Sequence, residues 1–192
     1  MPPKAKFSRE RIIEAAISIA ERDGIDALTA RSLGSELGSS ARPIFTVFES
    51  MDEVSKAALD YANSLYGEYV EQGLSENIAF KGVGKAYIRF ASEHPRLFQL
   101  LFMKERYERN DTTNVLQGIE KHYEQIITSI CDGYGLDRKS AIDIYFHLWV
   151  YSHGIAVLIA TNVCRFTQDQ TSEMISQVFV SLLNRLKTES KL

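Results

Sequence analysis

Apolar side chains recur at helical spacing along most of this 192-residue chain. In the first such segment Ile12, Ala16 and Ile19 follow one another at intervals of four and three, which places them on one helix face. Ser8 stands before this segment as a candidate N-cap, and Gly24 follows it as a candidate C-terminal stop. The pattern predicts an amphipathic helix between these two residues.

Two shorter helical segments follow. Thr29 is a candidate N-cap for the first of them, in which Leu33 faces a core. Gly38 ends this helix, and Ser40 is placed to cap a further helix that runs to about Phe48. Two helices this short cannot bury both of their apolar faces alone, so we expect the first helix to lie beneath them.

The remaining segments also have helical periodicity, and strand-like alternation is missing from the sequence. We predict helices over residues 52–70, 75–93, 95–102, 113–131, 138–162 and 171–187. The predicted fold class is therefore all-α.

Charge and cysteine content narrow the class of protein. The formal net charge is −3, so a surface that binds nucleic acid has to be local. Lys4, Lys6 and Arg9 make the start of the chain basic, which predicts either a nucleic-acid-contacting arm or a solubilising tail. Cys131 and Cys164 lack metal-binding spacing and are expected to be buried thiols in a reducing cytoplasm.

The sequence also argues against a membrane protein. Its basic start leads into an amphipathic helix and not into the apolar core of a signal peptide. The most apolar stretch, residues 149–163, contains Ser152, His153 and Asn162 and is shorter than a membrane span requires. We therefore expect a cytoplasmic protein with no membrane partner.

Residues 29–48 have the layout of a helix-turn-helix. Gly34 removes a side chain where the two short helices are expected to cross, and the second helix is then left as a protruding rod of about two turns that fits a DNA major groove. On its own, the Gly38-Ser39-Ser40 turn favours a simple connection between two helices over DNA binding.

The side chains on this rod suit contacts with DNA. Ser40 would leave backbone N–H groups facing a phosphate, and Arg42 could contact guanine or phosphate. Ala41 and Pro43 could touch a thymine methyl group, and Thr46 adds a hydroxyl one turn on.

Residues 8–54 resemble the DNA-binding domain of the TetR family of bacterial regulators. The matching features are Ile12, Ile13, Ala15 and Ala16, then Asp23-Gly24, Leu28-Thr29, Arg31, Leu33-Gly34, Leu37-Gly38, Ser40, Ile44-Phe45, Phe48, Ser50 and Glu53. The resemblance implies a three-helix helix-turn-helix domain over residues 1–50 that binds a double-stranded DNA operator. The implied contact residues are Lys4, Lys6, Thr29, Arg31, Ser39, Ser40, Ala41, Arg42, Pro43, Phe45 and Thr46.

Three positions depart from the family pattern. Phe45, Val47 and Met51 are apolar where the family usually has polar groups that contact phosphate. The resemblance therefore implies fewer phosphate contacts than usual. A helical adaptor with weak or no DNA binding is the alternative that these departures favour.

The later part of the chain resembles the effector domain of a TetR subgroup named for its Trp and His-Gly signature, through residues 94–102 (HPRLFQLLF) and Trp149, His153 and Gly154. This implies that residues 51–192 form a larger helical domain that binds a ligand and dimerises. Dense aromatic residues predict a pocket for an apolar or aromatic small molecule, although plain core packing is the alternative. The candidate ligand-binding residues are Tyr87, Phe90, Phe98, Phe102, Tyr123, Trp149 and His153.

The last two helices carry long apolar stripes, which predict a homodimer through a four-helix bundle. The alternative is burial of the stripes within one chain, and Gly154 is expected to permit a close approach of helices. The candidate interface residues are Ile155, Ile159, Ile175, Val178, Phe179, Leu182 and Leu186.

An enzyme is the rival class, but the sequence has no nucleophile elbow, Gly-rich phosphate loop or His-Glu-x-x-His metal motif. We therefore expect no catalytic residue, cofactor or metal. The resulting hypothesis is a ligand-responsive transcriptional regulator, a repressor that a small molecule releases from its operator.

Overall fold

The structure is a computed structural model that describes residues 5–104, 111–112 and 114–189. Lys4, a predicted DNA contact, and Thr113, the predicted start of a helix, lie outside these residues. Within them all regular structure is helical, as predicted. The α-helices are α1 (Arg9–Asp23), α2 (Ala30–Glu36), α3 (Met51–Leu74), α4 (Ala79–Glu93), α5 (Pro95–Phe102), α6 (Val115–Ile119), α7 (Tyr123–Tyr134), α8 (Arg138–Ala160) and α9 (Gln168–Glu189).

The chain forms two compact units. The first contains Met1–Leu65 and His94–Lys104, and the second contains Tyr66–Glu93 and Glu105–Leu192. Helix α3 therefore contributes residues to both units, while α5 belongs to the first. The sequence predicts a DNA-binding domain over residues 1–50 and an effector domain over residues 51–192. This division by function stays a prediction.

Helix α1 is the central element of the first unit. The Ser8 hydroxyl accepts a hydrogen bond from the Arg11 backbone N–H at 3.2 Å, as an N-cap does. Gly24 ends the helix with a φ of 90°, a backbone conformation that favours glycine. Ile12 and Ile19 are buried in the core, and α2 and α5 pack against this helix. The capped amphipathic helix predicted here is confirmed.

Helix α2 lies close to the turn that follows it, and the point of contact is Gly34. Thr29 and Ser32 form a capping box at its start. A Cβ added to Gly34 would lie 3.0 Å from the backbone nitrogen of Ala41, and the Ser39 N–H donates to the Gly34 carbonyl at 2.8 Å. A close backbone approach at Gly34 is therefore present, but it is made with the turn at residues 39–41, and the predicted crossing of two helices is not.

The predicted helix after Ser40 is wrong. The segment contains one turn of 3₁₀-helix, Ile44–Thr46, whose N-cap residue is Pro43 and not Ser40. Its bonds run from the N–H of Ile44, Thr46 and Val47 to the carbonyl three residues earlier. Three β-branched residues in four positions disfavour the α-helix, and so short a segment gains little from continuing it.

The second unit is built around α8, which packs against α4, α7 and α9. By length and composition, α8 is the helix of the described part that could cross a membrane, although it lies here among other helices. The end of α3 approaches the start of α4 through a glycine pair. A Cβ on Gly82 would lie only 2.1 Å from the carbonyl oxygen of Gly73, so no larger residue fits between these two backbones.

The helix predicted over residues 113–131 is instead two helices, α6 and α7, separated at Glu120. Glu120 has an extended ψ of 110° and is buried. Its carboxylate accepts hydrogen bonds from the Tyr66 hydroxyl at 2.8 Å and from the backbone N–H of His122 at 3.0 Å. These bonds replace those that a continuous helix would make.

Smaller differences concern helix ends and thiols. Helix α3 extends four residues beyond the predicted end at Val70, and α4 starts four residues later than predicted. The Ser75 N–H donates to the Glu71 carbonyl, so Ser75 continues the hydrogen bonding of α3 and does not begin α4. Cys131 and Cys164 are free thiols, but each is partly exposed and not buried as expected.

Candidate functional sites

The residues predicted to contact DNA gather mostly on the surface of the first unit. Lys6 is the first of them that the structure describes, and its ammonium donates to the Ser39 hydroxyl at 3.0 Å. This bond brings the basic start of the chain to the turn that follows α2. The exposed members of the set are Lys6, Thr29, Arg31, Ser40, Arg42, Phe45 and Thr46, and the partly buried members are Ser39, Ala41 and Pro43.

Arg42 is the exposed cation of this turn. No ion pair joins it to any residue that the structure describes. Arg9 differs, because its guanidinium lies 4.3 Å from the centre of the Phe48 ring and pairs with Glu53 at 2.8 Å. The Glu49 backbone N–H, and after it Arg9, lower the pKa of Glu53. Of these two arginines, Arg42 is therefore the one available to a DNA ligand.

The apolar departures from the family pattern have a structural role. Val47, Met51 and Ala41 pack against the core of the first unit, whereas 46% of Phe45 is exposed. The Thr46 hydroxyl donates to the Pro43 carbonyl at 2.7 Å, within its own turn. The surface of this turn therefore consists chiefly of Ser40, Arg42 and Phe45.

A cavity of about 280 Å³ lies inside the second unit. Helices α4, α8 and α9 supply most of its wall, and α3 and α7 add one tyrosine each. The lining residues are Tyr66, Ile78, Phe80, Lys81, Val83, Gly84, Tyr87, Tyr134, Tyr145, Leu148, Trp149, Ser152, Ile175, Ser176, Phe179 and Val180.

The predicted ligand-binding residues have different positions relative to this cavity. Tyr87 and Trp149 line it. Phe90 and Tyr123 are buried in the core of the second unit, and His153 lies behind Trp149, with the two rings stacked at 5.2 Å. The other two, Phe98 and Phe102, belong to the first unit and pack on each other at 5.1 Å.

The Trp149 and His153 pair is explained by their common partner, Tyr87. The Trp149 indole N–H donates to the Tyr87 hydroxyl, whose oxygen lies 2.8 Å from Nδ1 of His153. Burial raises the pKa of Tyr87 and lowers that of His153, so the hydroxyl keeps its proton and the imidazole is neutral. Tyr87 then donates to Nδ1, and this wall of the cavity carries no charge.

The lowered pKa of His153 predicts a loss of stability in acid. The unfolded chain takes up the histidine proton below its ordinary pKa of about 6.5, whereas the folded chain resists it until the pH falls through the lower folded value. The contribution is therefore present above about pH 6.5 and is lost below it. Urea unfolding of His153→Gln should show a weaker fall in stability between neutral and acidic pH than the wild-type protein shows.

His147 provides the control, because it is exposed on the same helix. His147→Gln also removes one imidazole from α8, and its stability should fall more steeply in acid than that of His153→Gln. An acid dependence that is equal in wild type and His153→Gln would mean that other groups cause it.

A second polar contact closes the cavity wall at Tyr66. Tyr66 is buried, and its hydroxyl donates to Glu120. Burial, and after it the charge of Glu120, raise the pKa of Tyr66 and of Tyr145. The sequence gives no sign of this contact, because Tyr66 and Glu120 are 54 positions apart. Gly84 and Lys81 could have been noticed from the sequence, because they precede Tyr87 on the same helix by three and six residues, about one and nearly two turns.

The predicted interface residues are partly used within the chain. Ile155 is only 4% exposed, and Ile175 and Phe179 line the cavity. Phe179 also packs on Tyr134 at 4.7 Å. Ile159, Val178, Leu182 and Leu186 are partly buried.

A different stripe of α8 remains uncovered. Val150, Gly154 and Leu158 follow one another at intervals of four, so they share one helix face. Val150 is 49% exposed and Leu158 38%, and a Cβ added to Gly154 would meet no described atom outside the neighbouring backbone of α8 within 4 Å. We call these three residues the α8 stripe.

Comparisons with known proteins agree with this architecture. An uncharacterized HTH-type transcriptional regulator of Mycobacterium tuberculosis is 25% identical over 170 residues, which cover 83% of this chain and 73% of that protein. A TetR-like transcriptional regulator from Rhodococcus sp. RHA1 has a similar fold, with a TM-score of 0.63 at 12% identity over 93% of this chain and 96% of the other. A fatty acid degradation regulator from Bacillus halodurans has a TM-score of 0.57 at 13% identity, over 93% of this chain and 96% of the other.

The family of the second unit is also established. The profile described as "Tetracyclin repressor-like, C-terminal domain" matches residues 80–182, which are more than half of the chain. The resemblance to the subgroup with the Trp and His-Gly signature stays a prediction. The chain belongs to the TetR family of transcriptional regulators.

Proposed function

We propose that this regulator is a dimeric repressor that leaves its operator when an apolar small molecule enters the cavity of the second unit. The observation that carries this proposal is the cavity itself, which has aromatic walls in a chain that also exposes Ser40 and Arg42 on the turn after α2. Its volume is close to the lower end of the range of about 300–1,000 Å³ typical of small-molecule sites. The protein would act in the cytoplasm, where its operator is accessible.

The DNA-binding part of the proposal rests on the turn after α2. Arg42 and Ser40 are exposed there, and Lys6 reaches the same turn through Ser39. Because Arg42 forms no ion pair with a described residue, its guanidinium can donate two hydrogen bonds to guanine or phosphate. Because Val47 and Met51 pack inward, we expect few phosphates to be neutralised by each protomer.

The dimer in the proposal uses the α8 stripe. In the most apolar 18-residue stretch of α8 only 33% of the residues are buried within the chain, so a large part of an apolar helix stays uncovered. Contiguous exposed apolar surface of this kind typically marks an interface. A second copy would cover the stripe through the two-fold contact that is common in homodimers, with Gly154 allowing the two α8 helices to approach closely. Leu182 and Leu186 of α9 would extend the contact.

Ligand binding would act on DNA binding through the spacing of two DNA-binding units. A ligand shifts this spacing only to the extent that it binds one arrangement better than the other. Helix α3 is suited to carry the change, because Tyr66 lines the cavity and the N-terminal half of the same helix belongs to the first unit.

Filling the cavity with a side chain tests this function. A Cβ on Gly84 meets nothing within 4 Å, and Gly84 lines the cavity, so Gly84→Leu should occupy the ligand space without displacing the wall. DNA that the wild-type protein selects from a random duplex pool serves as operator. We expect 1-decanol or decanoate to weaken operator binding by the wild-type protein and to leave binding by Gly84→Leu unchanged.

Gly133 gives the matched control, since a Cβ there also meets nothing within 4 Å and it does not line the cavity. Gly133→Leu should respond to the two compounds as the wild type does. A Gly84→Leu protein that responds like the wild type would place the ligand elsewhere. Failure to select any duplex would favour the adaptor alternative.

A further inference from the structure

We propose that the effector is an amphiphile with a carboxylate head, held by Lys81 at the mouth of the cavity, and an unbranched apolar tail that fills the interior. This inference rests on the proposed function, because it gives the chemical class of the ligand in the same cavity. The observations behind it are the distribution of charge around the cavity and the state of its polar groups.

The mouth of the cavity carries a positive charge. Among the described lining residues, Lys81 is the one with a formally charged side chain, and it is exposed. No ion pair joins Lys81 to another described residue, whereas Lys85, one turn further along α4, pairs with Glu76 at 2.9 Å. Ile78 and Val180 also line the cavity and are each about half exposed, so apolar surface surrounds this cation. A carboxylate could therefore pair with Lys81 while its first methylene groups contact Ile78 and Val180.

A buried negative charge lies behind Tyr66, which is away from Lys81, because the Tyr66 ring packs on Tyr87 at 6.0 Å and Tyr87 is six residues, nearly two helix turns, beyond Lys81 on α4. Glu120 is buried behind Tyr66, and its charge contributes, after burial, to raising the pKa of Tyr66 and of Tyr145, both of which line the cavity. An anionic group pushed to this end would meet like charge in a poorly solvated space. The electrostatics thus favour one orientation, with the head at Lys81 and the tail toward Tyr66.

Most of the interior offers a tail apolar contacts, although the hydroxyl-bearing residues Tyr134, Tyr145, Ser152 and Ser176 also line the cavity. The Tyr66 hydroxyl is bonded to Glu120, and the Tyr87 hydroxyl is bonded to Trp149 and His153. These phenols therefore present ring carbons to a ligand, together with Phe80, Leu148 and Phe179. A polar group placed among these residues would lose its hydrogen bonds to water without replacement. The volume of about 280 Å³ suits a single chain and not a bulky ring system.

Trp149 supplies the measurement, because it is the chain's single tryptophan and it lines the cavity. Its fluorescence should report the binding of decanoate, 1-decanol and decyltrimethylammonium, each below its micelle concentration. We expect decanoate to bind the wild-type protein about tenfold more tightly than 1-decanol, the scale of one hydrogen bond to a charged group, and the cation to bind more weakly than both. Shortening the tail to octanoate should weaken binding by about fourfold per methylene removed.

Two variants test whether Lys81 causes the preference for decanoate over 1-decanol. Lys81→Met keeps an unbranched side chain but removes the charge, so decanoate should lose its advantage over 1-decanol. Lys85→Met removes an equal charge from the same helix and should leave the tenfold preference intact, because that lysine is already paired with Glu76.

The possible results separate this inference from the proposed function. Equal binding of decanoate and 1-decanol to the wild type, with both compounds releasing DNA, would overturn the anionic head and leave the proposed function standing. A preference that persists in Lys81→Met would overturn the role of Lys81. If no compound alters Trp149 fluorescence or DNA binding, the ligand cavity and the inference both fail.

Discussion

Leu158→Glu is expected to yield a monomeric protein that no longer binds its operator specifically. Leu158 lies in the α8 stripe and is 38% exposed in the isolated chain, so a glutamate there is solvated and leaves the fold unchanged. In a dimer the same carboxylate would be buried against its symmetry mate without a partner, which is strongly unfavourable. Sedimentation should show one species of about 21.7 kDa in place of a dimer.

The effect on DNA binding follows from geometry. Two recognition surfaces must reach successive major grooves about 34–36 Å apart, which one protomer cannot do. The monomer should therefore lose most of the specific affinity, which in such proteins is about 10³-fold or more over non-specific DNA. A Leu158→Glu protein that sediments as a dimer would move the interface elsewhere, and a monomer with wild-type operator affinity would refute the spacing mechanism.

Gly154→Ala refines the test, because the new methyl group meets no described atom beyond the neighbouring backbone of its own helix. Alanine should stabilise the isolated helix by about 1 kcal/mol. A weaker dimer in this variant would therefore report contact with a second copy. Gly133→Ala has the same open surroundings on α7 and should leave dimerisation unchanged.

Local signals in the sequence predicted the helices best. Ser8, Thr29 and Pro95 mark the starts of α1, α2 and α5 because caps and prolines act within one turn of the chain. The break at Glu120 could not be predicted in this way, since one of the two hydrogen bonds that hold the Glu120 carboxylate comes from Tyr66 on another helix. The same holds for Phe98, whose aromatic character is compatible with a pocket but which is buried in the first unit.

Helical periodicity also leaves open what buries an apolar face. The α9 residues Ile175 and Phe179 have the pattern of an interface, yet they line the cavity of their own chain. On α8 the exposed Val150 and Leu158 lie one helix turn either side of Gly154, and the sequence alone could not distinguish them from the buried Ile155. Only the arrangement of α4, α7 and α9 around α8 decides which residues remain for a partner.

Arg42→Ala is expected to weaken operator binding by about 1–3 kcal/mol, the scale of one good bidentate contact to a base. Arg42 is exposed and makes no ion pair with a described residue, so its removal should not alter the free energy of unfolding. The measurement is a binding isotherm at several salt concentrations. If the contact is to a base, discrimination at one operator position should relax, and if it is to a phosphate, the slope of log K against log salt should become shallower by about 0.9.

Arg96→Ala is the control for charge alone. Arg96 is exposed on α5 of the same unit, bonds to Gln99 and lies outside the predicted DNA-binding residues. Its removal changes the net charge as Arg42→Ala does, and it should reduce operator affinity by far less. Equal losses in the two variants would mean that Arg42 acts only through long-range electrostatics. Wild-type affinity in a folded Arg42→Ala protein would remove this residue from the DNA contact and leave the turn after α2 without its proposed role.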